Sequence, residues 1–301
     1  MEKEIIGLLE KRGPLTGAEI LKAIDADFLL LWRCCMLSRK LAIRTIGRRY
    51  LRLDRRVDGF ARLSPSILRE FLTYSVIGLA SDQRSLAQRS DDISRHIGRV
   101  TRSKSELAYE IISAAMDRFE NTLLVREQAA IMIGGDIVYN MAHDVPRPER
   151  STGRLVKGSD MDIVIVVDDR FPKRLINTLD DVIYQEKQRI LMAPHMREEI
   201  DYVVKDMARV RKQMRFDTFR HMVACKILEE ATLLLGSEDL FSTIKGMLRE
   251  EGVIEKLNDL ENRARCFRTD AQEHLLKEDP QKVREAYQYL FYPTEESEEF
   301  E

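Results

Sequence analysis

Lys157-Gly158-Ser159-Asp160-Met161-Asp162-Ile163-Val164-Ile165-Val166-Val167 decides how this chain reads. From Ile163 to Val167 every residue is β-branched, which predicts a strand covered on both faces. Asp160 and Asp162 stand where that strand begins. Side chains alternate along a strand, so both carboxylates project to one side, about 7 Å apart at their Cα atoms. Two like charges beside a buried strand are costly unless a cation neutralises them. Carboxylate oxygens are the donors that Mg²⁺ or Mn²⁺ takes. The plainer reading is a pair of solvated turn residues, which leaves the Gly-Ser approach and the same-side spacing as accidents.

Upstream, Ala129-Ala130-Ile131-Met132-Ile133 reads as a short apolar strand ending at Gly134-Gly135. Paired glycines there permit a tight turn whose N–H groups can approach a phosphate. Downstream, apolar spacing through Leu175, Ile176, Leu179, Val182 and Ile183 predicts a helix over Phe171 to Leu191, closed by Pro194. Glu199 to Val204 reads as another strand, with Asp201 near its start. If that strand lies beside the first, Asp201 joins Asp160 and Asp162. Three converging carboxylates can hold two metals about 4 Å apart.

A strand, Gly134-Gly135, then Ser159-Asp160-Met161-Asp162-Ile163, then a lone Asp201 on a later strand resembles the nucleotidyltransferase superfamily that includes DNA polymerase β. The resemblance covers about residues 106–205, and the acidic signature is its specific part. It implies a small mixed sheet with helices, two Mg²⁺ ions, and transfer of an NMP from an NTP to an acceptor hydroxyl. By that pattern Asp160, Asp162 and Asp201 are the catalytic and metal-binding residues. Asp160 and Asp162 hold both ions, and Asp201 serves the one that activates the acceptor. Gly134, Gly135, Ser159 and Lys157 would then hold the nucleotide. The chain departs from the pattern between Gly135 and Ser159, where the 23 residues 136–158 form a longer insertion. Arg147, Arg150, Arg154 and Lys157 in it are candidates to grip phosphate or an acceptor strand.

The N-terminal stretch carries a different signal. Between Arg33 and Arg56 nine basic residues face one acid, Asp54. Helices are expected at Glu2–Lys11, Thr16–Ile24 and Asp27–Lys40, with Thr16 and Glu19 forming a capping box. Strands at Ala42–Ile46 and Tyr50–Leu53 would meet through Gly47-Arg48-Arg49. Three helices and a basic hairpin resemble a winged helix-turn-helix domain. That resemblance offers Arg39, Lys40, Arg48, Arg49 and Arg52 to the phosphates of DNA or RNA. Trp32 reads as a core anchor.

The expected fold class is α+β: a winged helix over residues 1–80, a linker over 81–102, a nucleotidyltransferase sheet over 103–206, a helical domain over 207–292 and an acidic tail over 293–301. Further helices are expected from Ser64 to Ala80 and from Met207 to Leu235. Lys205, Lys212, Arg215 and Lys226 are candidate triphosphate contacts from the helical part. With 44% apolar and 33% charged residues, the composition is that of an ordinary globular protein, with no apolar run of membrane-spanning length. Met1-Glu2-Lys3-Glu4 is no signal sequence, and the four cysteines have no metal-binding spacing, so a reducing cytoplasm is expected. A metal-dependent nucleotidyltransferase leads the functional readings. A winged-helix regulator with a nucleotide-sensing or inactive transferase domain is the alternative, followed by a toxin–antitoxin type partner protein. A protein partner or a homo-oligomer fits each of them.

Overall fold

The structure, a computed structural model, describes residues 1–149, 152–293 and 296. The chain is a mixed α+β protein of two units, Met1–Ile97 with the chain from Leu260 onward, and Gly98–Asp259.

In the first unit α1 (Glu2–Arg12) leads to β1 (Leu15–Thr16), α2 (Gly17–Ile24) and α3 (Phe28–Leu37). The capping box forms: Thr16 Oγ1 accepts from Glu19 N at 3.2 Å, and Glu19 Oε2 accepts from Thr16 N at 2.7 Å. The chain continues through β2 (Leu41–Thr45), β3 (Tyr50–Leu53), β4 (Ala61–Ser64), α4 (Ile67–Thr73) and β5 (Ser75–Leu79). A three-stranded antiparallel sheet runs in the order β1-β5-β2, while β3 and β4 form a separate ladder.

The expected hairpin between β2 and β3 is therefore replaced. β2 pairs with β5, setting Leu41 against Leu79 and Ile43 against Ile77. Val76 and Ile77 are fully buried, and that apolar run covers β2 better than the arginine-bearing β3 would. The single helix expected from Ser64 to Ala80 is likewise α4 followed by β5, because Ser75-Val76-Ile77-Gly78-Leu79 is strand-forming. Ile5, Ile20, Leu31, Leu68 and Ile77 make the core of this unit, and Trp32 packs against Phe291 at 5.4 Å between ring centroids.

α5 (Gln83–Arg118) replaces the expected linker. Its buried positions include Leu86, Ser90, Ile97, Thr101, Lys104, Ala108, Ile111 and Ala115. They keep helical spacing, but three of them are polar, so the stripe escapes a count of apolar residues alone. α6 (Thr122–Gln128) and β6 (Ala129–Ile133) follow. Within the insertion, β7 (Pro146–Pro148) and β8 (Leu155–Lys157) pair antiparallel. Then come β9 (Met161–Val167), α7 (Lys173–Met192), β10 (Ile200–Asp206), α8 (Met207–Gln213), α9 (Phe219–Glu230), β11 (Thr232–Gly236), α10 (Glu238–Glu250) and α11 (Val253–Lys277).

The sheet order is β10-β9-β6-β11, with β10 parallel to β9 and the other pairs antiparallel. Met161, Ile163, Ile165 and Val167 on β9 pack with Ile111, Ile112, Leu179 and Ile183 from α5 and α7. The even residues of β9 therefore face the other side, against which α8 packs.

The helical domain expected over 207–292 does not exist as one body. Leu233-Leu234-Leu235 joins the sheet as an edge strand, since a short apolar run suits a strand as well as a helix. From residue 260 the chain belongs to the first unit, where Ala271, Leu275, Val283, Leu290 and Phe291 complete the core. The expected acidic tail lies mostly outside the described residues; Pro293 and Glu296 are described. Among the described residues, no helix is long and apolar enough to cross a membrane. All four cysteines are free, with Cys35 and Cys225 buried and Cys266 exposed.

Lys205 on β10 is buried, and its ammonium donates to Gln213 Oε1 at 3.0 Å. Burial, and then the nearby Arg209, push its pKa down from 10.5 to about 8. Between those values the unfolded chain holds a proton that the folded chain has released, so Lys205 makes stability rise with pH across the window. Lys205→Met should remove that slope. The stability difference between variant and wild type, measured by urea unfolding at pH 7 and pH 10, should move by about 1–3 kcal/mol in favour of the wild type at the higher pH. A pH-independent difference would refute the assignment.

Candidate active site

β9 and β10 run in register so that Asp162 lies directly beside Asp201. Ile200, one residue before Asp201, packs in the same core as Met161, so Asp162 and Asp201 occupy the opposite face together. α7 makes this possible, because two parallel neighbours need a crossover and the helix supplies it. Asp160 enters from the turn before β9. The three sequence-derived carboxylates thus gather at the start of two adjacent strands.

The glycine turn closes on them. Gly134 N donates to Asp162 O at 2.9 Å. Gly135 has φ +67°, and a Cβ there would sit 2.0 Å from Asp162 Oδ2. Only glycine lets the backbone approach this carboxylate so closely. Ser159 Oγ donates to Asp136 Oδ2 at 2.7 Å, and His143 N donates to Ser159 Oγ at 3.2 Å. Ser159 therefore ties the insertion to the residue after the glycine pair. Lys157 is further away in role: its ammonium donates to His195 O at 3.1 Å. Buried Lys104 fixes the same strand by donating to Lys157 O at 2.7 Å and pairing with Glu198 at 2.5 Å.

Three further charged residues belong to this cluster. Asp136 follows Gly134-Gly135 directly, a position from which it could have been read. Glu230, at the end of α9, accepts from Gly135 N at 3.2 Å and pairs with Lys226 at 2.5 Å. Nothing in the local sequence marks it. Arg147, expected as a phosphate grip, is a counter-ion inside the cluster: it lies 2.7 Å from Glu199 and 3.8 Å from Asp160, and its Nε donates to Gly158 O at 2.8 Å. Arg150 lies outside the described residues. Lys205, a candidate triphosphate contact, is buried against Gln213 instead.

The electrostatics follow from this crowding. Burial, and then Asp160, Asp136, Glu230 and Asp201, raise the Asp162 pKa well above the usual carboxylate value. Asp160 is raised by burial, lowered in part by Arg147, and raised again by Asp136 and Asp201. Asp201 is over half exposed and pairs with Lys187 at 3.0 Å. As the side chains stand, no group of three or more His, Cys, Asp or Glu among the described residues is arranged to hold a metal ion. The donor chemistry does fit a hard divalent cation, since the set is all oxygen and its central member is strained by like charge. Asp160, Asp162 and Asp201 are the residues that would hold it.

The first unit treats its expected phosphate contacts unequally. Arg49 is bound in a two-pronged pair to Glu70, at 2.5 and 2.7 Å, and Arg52 lies 3.4 Å from Glu296. Arg33 donates to Leu275 O and Glu278 O. Arg39, Lys40 and Arg48 are exposed. No protein-family model matches this chain, and no curated protein matches it.

A carboxyl with a raised folded pKa holds its proton more tightly when folded, so stability without a cation rises as pH falls through that pKa. Asp162→Asn should therefore raise the melting temperature at pH 7 in the presence of a chelator. Mg²⁺ should raise the wild-type melting temperature and leave that of the variant unchanged. A variant less stable than the wild type, together with a wild type indifferent to Mg²⁺ and Mn²⁺, would contradict this picture of the site.

Proposed function

We propose that residues 98–259 form a metal-dependent nucleotidyltransferase that moves an NMP from an NTP to an acceptor hydroxyl. The observation that carries this reading is the register of Asp162 beside Asp201 on adjacent parallel strands, with Gly135 pressed against Asp162. A Mg²⁺ ion held there would supply charge neutralisation of the triphosphate and activation of the attacking hydroxyl. The chain's own part is to bring the reactants together. The Gly134-Gly135 turn brings its backbone against Asp162, with Glu230 accepting from Gly135 N. Arg147 holds Glu199 and stands near Asp160, where it offsets part of the repulsion until substrate arrives. Ser159 fixes the insertion against Asp136.

Replacing Asp160 or Asp162 by Asn should lower turnover by several orders of magnitude, and Asp201→Asn should abolish incorporation while largely sparing nucleotide binding. The assay is incorporation of each α-labelled NTP into a pool of RNA, DNA and protein. The Lys187–Asp201 pair favours a second reading, in which the domain binds nucleotide as a sensor. Tight nucleotide binding by the wild type with no covalent product from any NTP would select the sensor.

The first unit supports a winged-helix reading through its three helices and its β1-β5-β2 sheet. Nucleic acid would meet it through Arg39, Lys40 and Arg48, whereas Arg49 and Arg52 pair with the buried carboxylates Glu70 and Glu296. Replacing Arg39, Lys40 and Arg48 together by Gln should flatten the salt dependence of binding to DNA or RNA by about 2–3 units of slope. Replacing Arg49 instead should lower stability. No binding to either nucleic acid at about 50 mM salt would assign this unit to protein docking.

A further inference from the structure

The ladder between β9 and β10 places Asp162 and Asp201, but it does not place Asp160. Its first pair is Met161 with Ile200, so Asp160 stands one residue outside it. β8 ends at Lys157 and β9 begins at Met161, which leaves Asp160 in neither strand. Its carboxylate therefore stands where residues 157–159 are held.

Two cations hold them. Lys104 of α5 donates to Lys157 O at 2.7 Å and pairs with Glu198 at 2.5 Å. Arg147 of β7 donates from Nε to Gly158 O at 2.8 Å and pairs with Glu199 at 2.7 Å. Two consecutive carbonyls before Asp160 are thus tied, through one cation each, to two consecutive carboxylates before β10. Main-chain bonds join the same segments: Lys157 N donates to Arg197 O at 2.8 Å, and Met161 N to Glu199 O at 2.9 Å. Arg147 also lies 3.8 Å from Asp160 and acts on it directly by charge. Lys104 differs, because both of its partners lie outside the three carboxylates. Lys104 and Glu198 are both buried. A buried ion pair is often no more stabilising than apolar residues of the same volume. What this one supplies is direction, since a single ammonium grips the approach to β9 and the approach to β10 together.

We propose, resting on the metal site of the transferase reading, that Lys104 and Glu198 are positioning residues for the divalent cation. By holding Lys157 against the start of β10, they set where the Asp160 carboxylate stands relative to Asp162 and Asp201. Partners outside the ligand shell typically change metal affinity by about 10–100-fold when they are removed. Mg²⁺ demands near-ideal octahedral geometry, whereas Ca²⁺ accepts a flexible shell, so a loosened Asp160 costs Mg²⁺ more than Ca²⁺.

The test uses the full chain as wild type, Lys104→Met/Glu198→Met, Glu198→Gln and the core variant Ile111→Ala. Both charges are removed together because Lys104→Met alone leaves Glu198 buried without its partner. Ile111, buried on the same helix, supplies a loss of stability that leaves the frame intact. Bound Mn²⁺ is read by electron paramagnetic resonance, Mg²⁺ and Ca²⁺ by competition against it, and folding by urea unfolding. The double variant should bind Mn²⁺ at least about tenfold more weakly than wild type and lose more affinity for Mg²⁺ than for Ca²⁺. Glu198→Gln, which keeps an acceptor for Lys104, should show a smaller loss in the same direction, and Ile111→Ala should match wild type. Unchanged affinities in the double variant and Glu198→Gln, or an equal loss for all three ions shared by Ile111→Ala, would overturn the proposal and leave the metal site standing. A wild type that binds none of the three ions would remove the metal site, and this proposal with it.

Discussion

The parallel pairing of β9 with β10 is the constraint on which the second unit depends. It needs a crossover, so it fixes α7 on one face of the sheet. It needs register, because a slip of one residue would send Asp201 into the apolar layer where Ile200 and Tyr202 now sit. With register held, two carboxylates become neighbours, and Asp162, the more enclosed of them, sits where its charge is costly. Asp136, Glu230 and Asp160 add to that pressure, and Arg147 relieves part of it. The sheet is an apolar scaffold that concentrates negative charge at one end of one face.

That part of the molecule was readable because the pattern is local. The β-branched run Ile163–Val167, the period-two spacing of Asp160 and Asp162, and the apolar strand before Gly134-Gly135 each predict their own structure. Whether the strand carrying Asp201 lies beside the first was left open by the sequence, and the register of β10 on β9 brings the two together. Asp136 was legible and overlooked, standing as it does directly after the glycines. Glu230 was not legible, because it reaches the site from a helix 95 residues beyond Gly135 and only the tertiary fold brings it there.

The first unit was harder for a reason that its arginines make plain. A run of basic residues is usually a solvated face, and here Arg49 and Arg52 pair with the buried carboxylates Glu70 and Glu296. Which carboxylate an arginine pairs with depends on the tertiary fold, and for Arg49 that partner is 21 residues away. Strand partners misled in the same way: Ile43 finds Ile77 across a long excursion rather than across the nearby Gly47 turn. α5 shows a third limit, since Ser90, Thr101 and Lys104 fill buried helical positions that composition assigns to solvent.

The first unit is also discontinuous, and this sets an order on its assembly. Residues 98–259 form a continuous unit whose sheet and covering helices leave the ribosome together. The core around Trp32 lacks Ala271, Leu275, Leu290 and Phe291 until synthesis has passed residue 291. During synthesis the N-terminal helices must therefore wait, with part of their apolar surface uncovered, while the domain made after them folds first. The segment that starts the chain is among the last to reach its final packing.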